Sequence, residues 1–288
     1  MQATFILYIL AAFACAVCNG AAAVLQKVGA DTQKITTSFT LKFATSLLRN
    51  WPYVLGIFLD VAAWIFTLIA VHGLPLFVVQ PIIAFSVVIT VFIERFAFKR
   101  RLGRKTIFAI GLIIIGLLAI ALQSTVEHSM TIRGVGFWII ILAPLFLGII
   151  GTVLVKVSAR YATVALAAVA GTAFGSVAIS GRILNFSQPY WHIVYSPVFL
   201  ALIVYGLVGI ATFTVALQRE RASVVTAAMI TFETLIPIAV GAKLLGDVPK
   251  NGSWFLVVIG ASIAAVGTIV ISISNTDEPN GTQNSVEQ

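Results

Sequence analysis

The chain has 288 residues, 60% of them apolar and 10% charged, with a mean hydropathy of +1.06. So little polar surface excludes a soluble globule and defines an all-α polytopic membrane protein with the lipid bilayer as its solvent. The net charge of +8 lies mostly in loops with no interleaved aromatic residues, which argues for membrane orientation and against a nucleic-acid partner.

The first apolar run, Phe5 to Val28, has no basic n-region and is longer than a signal-peptide core, so it reads as a retained first helix. Cys15 and Cys18 lie three apart inside it and read as small apolar packing residues. Further helices are predicted at Ile35 to Arg49, Trp51 to His72, Pro75 to Ala97, Thr106 to Gln123, Val135 to Lys156, Ala162 to Ile183, Pro197 to Leu217, Ser223 to Leu245 and Ser253 to Ser274. The polar, acidic tail 275–288 has no periodicity and is expected to be disordered and cytoplasmic.

Orientation follows from Gly73 to Gly116. From Leu74 to Phe92 no residue is charged, and at about 1.5 Å per residue the run crosses the ~30 Å hydrocarbon layer as a helix. Arg95, Lys99, Arg100, Arg101, Arg104 and Lys105 then crowd a short loop, which marks the cytoplasmic side. The second element, Ile35 to Arg49, is short for a span and carries Lys42 in its middle. If it stays inside, nine spans leave 14 Lys and Arg on the inner side and 4 on the outer; ten spans give 11 and 6, with Lys42 buried.

An internal repeat favours ten. Tyr53 to Pro81 aligns with Phe199 to Ala227, Ile110-Gly111 with Ile259-Gly260, and Val24 to Val28 with Val153 to Val157. Duplication of this kind is a recurrent plan of secondary transporters, and units with an odd number of helices are inverted. The expectation is therefore one transmembrane domain over residues 1–274, with repeat one at 1–124 and repeat two at 134–274. Both termini would then be cytoplasmic in a cell membrane. Small residues such as Gly171 and Gly175 supply notches for close helix packing.

The stretches GAAAVLQKVGA, LKF, FTLIAVHGLPLFVVQPIIAFSVV, the Glu-Arg turn and IGLIIIG resemble the drug/metabolite transporter superfamily, and within it EamA-like and NIPA-type members. The resemblance covers nearly the whole membrane region and implies ten helices in two inverted five-helix repeats around a central cavity, with solute moved by alternating access. It associates NIPA-type relatives with magnesium and EamA-like ones with amino acids and other metabolites. The family's acidic residue at the end of the second repeat's fourth helix appears as Asp247 after Gly246, and in the first repeat Glu94 sits about a turn early.

Asp60 and Glu233 fall near the middle of predicted helices three and nine. A charge at that depth costs at least ~2.5 to 3.5 kcal/mol, so it faces a cavity or a partner. Asp60, Trp64 and Thr67 share one helix face, as do Thr226, Glu233 and Pro237. Pro237 removes the hydrogen bond to the Glu233 carbonyl and reads as a helix break, as does Pro81. Gln80, Asn19 and Gln26 add amides within the spans, which serve either a cavity or helix contacts, and Lys42 is a candidate partner for either carboxylate. His72, His128 and His192 map to outer loops or helix ends without metal-ligand spacing. No metal site, cofactor or enzyme motif is expected.

Three readings follow. The first is a secondary transporter of a small metabolite, amino-acid-like, drug-like or otherwise polar, coupled to protons or another cation. The second is a NIPA-type divalent-cation permease for Mg2+, and the third a non-transporting membrane scaffold.

Overall fold

The computed structural model of the chain describes residues 2–73, 82–97, 103–122, 134–183, 195–240 and 253–274, and these are helical without strands. The helices are α1 (Gln2–Asp31), α2 (Leu41–Leu48), α3 (Trp51–Gly73), α4 (Ser86–Ala97), α5 (Arg104–Ala121), α6 (Val135–Lys156), α7 (Arg160–Ile183), α8 (Pro197–Arg219), α9 (Ala222–Val240) and α10 (Trp254–Ser274). Three contain stretches long and apolar enough on their own to cross a membrane: Ile6–Asp31, Gly136–Lys156 and Pro197–Arg219. Shorter apolar helical stretches run over Trp51–Thr67, Tyr161–Val177, Ala222–Ile236 and Trp254–Gly267. Gln80, Pro81, His128, His192, Asp247 and the tail lie outside the described residues.

The second crossing expected over Ile35–Arg49 does not form. Thr40 caps an eight-residue helix by accepting from the Phe43 N–H at 3.2 Å, and eight residues reach only about 12 Å, far short of the ~30 Å hydrocarbon. Lys42 is exposed, while Leu47 packs with Ala30 and Tyr53 where α1 ends and α3 begins. The helix thus sits at one end of the bundle, with Lys42 on its exposed side. The return path confirms this, since α3 runs antiparallel to α1: Gly29 meets Tyr53, Gly56 meets Ala22 and Gln26, and Cys15 meets Thr67.

In the second half a full helix does intervene. Tyr205 donates to the Ile140 carbonyl at 2.8 Å, Gly151 meets Thr212, and Arg219 donates to the Val157 carbonyl at 2.8 Å, so α6 and α8 run parallel with the 24-residue α7 between them in sequence. The packing therefore matches α1 with α7, not with α6 as the Val24/Val153 alignment suggested. Gly56 on α3 presses on Gln26 of α1 as Gly209 on α8 presses on Phe174 of α7. Gly20 on α1 meets Ser86 and Ile89 of α4 as Gly171 on α7 meets Met229 and Glu233 of α9.

The last helix of each half packs against the other, antiparallel and reciprocal. A Cβ on Gly116 would stand 2.5 Å from the Gly260 carbonyl oxygen, and one on Gly260 would stand 2.7 Å from the Gly116 carbonyl oxygen. At this crossing only glycine lets two backbones approach so closely, and dispersion between them replaces the hydrophobic force that lipid does not supply. Outward, the helices present large apolar side chains such as Phe58, Leu145, Phe146 and Leu207, each more than 55% exposed, as lipid-facing surface requires.

One end of the bundle collects α2, the C-termini of α1, α4, α6 and α8, and the N-terminus of α9. Gln218 donates to the Ala30 carbonyl at 3.2 Å and accepts from the Thr36 N–H at 3.2 Å. Arg219 donates to the Val155 and Val157 carbonyls at the α6 terminus. Lys34, Lys42, Arg49, Arg95, Arg104, Lys156 and Arg221 belong to this end as well, where the links between these helices lie.

Candidate functional site

The site is built on α1, α3 and α9. On α1, Cys15, Asn19 and Gln26 recur at i, i+4 and i+11, a spacing that lines them along one stripe. Antiparallel α3 brings Asp60 and Thr67 against that stripe. Gln26, 1% exposed, donates its Nε2–H to Asp60 Oδ2 at 2.5 Å. Two turns away Thr67 donates to the Ala63 carbonyl at 3.0 Å, which spends its single hydroxyl proton. In the 3.0 Å contact between Cys15 Sγ and Thr67 Oγ1 the thiol is therefore the donor, and Asn19 Nδ2–H in turn donates to Cys15 Sγ at 3.6 Å. An ordered chain of donors thus runs from Asn19 through Cys15 and Thr67 to the α3 backbone.

Glu233 arrives from α9, which continues helical from Ala222 to Val240 and so through position 237. At Gly171 the α7 backbone abuts the Met229 carbonyl and the Glu233 N–H, and this fixes the height of Glu233 in the bundle. The carboxylate lies within electrostatic reach of both Asp60 and Cys15. It is half-buried, and among the described residues it has no hydrogen-bond donor and no basic partner. Asp60, also half-buried, has the Gln26 amide and no cation. Two carboxylates from opposite halves of the chain therefore lie within electrostatic reach of each other, one of them held by a neutral amide, and their mutual repulsion is relieved when a proton or cation joins either.

Other expected residues fall elsewhere. Trp64 is 59% exposed, turned away from its half-buried neighbours Asp60 and Thr67. Thr226 is buried at 2% exposure, two turns before Glu233 on α9. Lys42, on α2 at the end of the bundle, pairs with neither carboxylate. Among the described residues no three of His, Cys, Asp and Glu converge as metal ligands.

Two residues acquire roles that sequence reasoning missed. Cys15 belongs to the polar stripe, bonded to Thr67 and Asn19 within electrostatic reach of both carboxylates, and the i, i+4 spacing to Asn19 was the available signal. Glu94, 4% exposed at the end of α4, accepts from the Ala222 and Ser223 N–H groups at 3.0 and 3.2 Å and so caps α9. A carboxylate at a helix N-terminus satisfies orphan donors and meets the positive end of the dipole. A cap borrowed from a helix more than 120 residues away leaves no local pattern to read. Compared with family models, curated proteins and solved structures, the chain matches none.

Proposed function

We propose that this protein is a secondary transporter that moves a small polar metabolite across a cell membrane by alternating access, with protons as the coupling ion and Asp60 and Glu233 as the coupled pair. The observation that carries this reading is Glu233, half-buried in an apolar helix within electrostatic reach of a second carboxylate and without donor or cation among the described residues. A structural carboxylate at such depth is normally paired or saturated with hydrogen bonds, because its isolated charge is costly. One left open is suited to exchange a proton or to hold a cationic group of a solute.

The architecture in this reading is an inverted repeat of four plus four helices: α1, α3, α4 and α5 against α7, α8, α9 and α10, with α6 between the units and α2 lying at the surface. The reciprocal Gly116 and Gly260 contact supports a two-fold axis through the α5 and α10 crossing. Nine spans then put the N-terminus outside and the C-terminus inside, and the basic end is cytoplasmic with 14 of the 18 Lys and Arg. This differs from the five-plus-five plan that the resemblance to the drug/metabolite transporters implies, in which α1 would pair with α6. The divalent-cation permease has less support, since two carboxylates are a lean set for an ion that takes about six oxygens.

The test is flux into proteoliposomes of purified protein, against a panel of amino acids, amphipathic amines and Mg2+, with and without a pH gradient. Accumulation of an organic solute that collapses with the gradient supports the proposal. Flux of Mg2+ alone supports the permease, and absence of any flux supports the scaffold.

A further inference from the structure

Among the described residues, the hydrogen bonds that join α1–α5 to α7–α10 gather at the basic end. Gln218 of α8 commits its side-chain amide there: Nε2 donates to the Ala30 carbonyl at 3.2 Å and to the Lys34 carbonyl at 3.4 Å, and Oε1 accepts from the Thr36 N–H at 3.2 Å. One turn earlier on the same face of α8, Thr214 Oγ1 stands 2.7 Å from the Tyr53 hydroxyl of α3. Thr214 gives its own proton to the Ile210 carbonyl at 2.7 Å, so Tyr53 is the donor. Tyr53, Thr214 and Gln218 are buried, and they form two polar rungs between α8 and the α1–α3 pair.

These rungs stand between the carboxylates and the basic end. Tyr53 precedes Asp60 by seven residues on α3, which puts it two turns, about 10 Å, to the basic side. Between the two, Gly56 presses on Gln26 and Ala22, so α1 and α3 leave no gap. On this side apolar packing also crosses from one half to the other, since Ala23 and Val24 of α1 share a buried cluster with Leu166 of α7 and Phe213 of α8. Towards the other end the described clusters around these helices keep to one half each: Ala11 and Ala12 pack with Ala70, and Ala173 and Tyr205 pack with Ile236. Meanwhile α4, α5, α9 and α10 share one apolar core across the halves, a scaffold against which the α1–α3 and α7–α8 pairs are set. Asp60 and Glu233 lie deep among protein atoms and still keep accessible surface, as side chains facing a cleft do.

We propose that the Gln218 and Tyr53–Thr214 rungs are the latch of a gate at the basic end, and that this is the state closed on that side, in which Asp60 and Glu233 are reached from the opposite side. The latch is suited to reversal. The Ala30 carbonyl belongs to the last turn of α1, where no intrahelical donor remains, so water satisfies it when α8 withdraws and opening exchanges one set of hydrogen bonds for another. By contrast α1 and α3 meet backbone to backbone at Gly29 and Tyr53, and they move as one body. The inference rests on the transporter reading, for which it names the gate that alternating access requires at this end.

Glu233→Cys reports which side reaches the pair. Sealed membrane vesicles of either orientation are treated with an impermeant cationic methanethiosulfonate, and modification at position 233 is timed by mass spectrometry on the monodisperse fraction, without solute. The gate predicts labelling at least tenfold faster from the side opposite the basic end. Adding Gln218→Ala is expected to raise the basic-side rate at least tenfold, and adding Tyr53→Phe, which keeps the ring and loses the donor, at least threefold. Should Gln218→Ala fail to give monodisperse protein, Tyr53→Phe decides. Equal rates from the two sides, or a basic-side rate unmoved by the latch substitution in folded protein, overturn the gate. Because labelling needs no solute, overturning the gate leaves the transporter reading to the flux measurement, whereas absence of flux in the parent removes that reading and with it the role of the gate.

Discussion

Asp60 and Glu233 both lie near the middle of their helices, yet their surroundings assign them different work. Gln26 holds Asp60, so its amide carries structural weight: Gln26→Leu removes the donor and is expected to lower stability by about 1–3 kcal/mol, read as a fall in the melting temperature in detergent. Glu233 has no such support, and Glu233→Gln is expected to leave the melting temperature within about 2 °C of the parent, given how little a buried neutral amide of the same shape disturbs. Trp64, 59% exposed, contributes surface and not site, so Trp64→Ala is expected to change flux less than twofold, whereas a tenfold loss would return it to the cavity. The two carboxylates were legible in the sequence because charge at mid-span is rare. Trp64 was misplaced because a shared helix face spans a broad arc, and the side chain 40° round from Asp60 already meets lipid.

Helices here are located by a few close approaches, and each of these is open to test. A Cβ on Gly171 would collide with the Met229 carbonyl, so Gly171→Leu pushes α9 off α7 and is expected to cut folded yield several-fold. A well-folded variant with altered solute preference would instead place Gly171 in the site. Glu94→Ala deprives the Ala222 and Ser223 N–H groups of their acceptor and is expected to cost about 1–3 kcal/mol, again by thermal melting. Most helices were readable from apolar run length alone, and their observed limits fall within a few residues of those expected. The second was not, since Ile35–Arg49 is apolar enough to suggest a span while Thr40 starts the helix late and Lys42 anchors it in water. Its fate was decided by packing of Leu47 against Tyr53 and Ala30, a contact no local pattern encodes.

For the whole molecule, an eight-residue α2 favours the nine-span layout proposed above, in which α1 pairs with α7. The charge count already favoured nine spans, 14 basic residues against 4, and the alignment of Val24 with Val153 pointed the other way because short apolar strings recur by chance in spans. A cysteine at Lys34 is therefore expected to resist an impermeant maleimide in intact cells and to react after lysis, and reaction from outside would restore the second crossing. The central claim, that the open carboxylate couples transport to protons, is tested most directly by comparing parent and Glu233→Gln in proteoliposomes under an imposed pH gradient. The account predicts that the parent accumulates an organic solute, while the variant binds and equilibrates the same solute but fails to concentrate it, with a loss of at least tenfold. Uphill transport by Glu233→Gln at the parent rate and with the parent pH profile would contradict it.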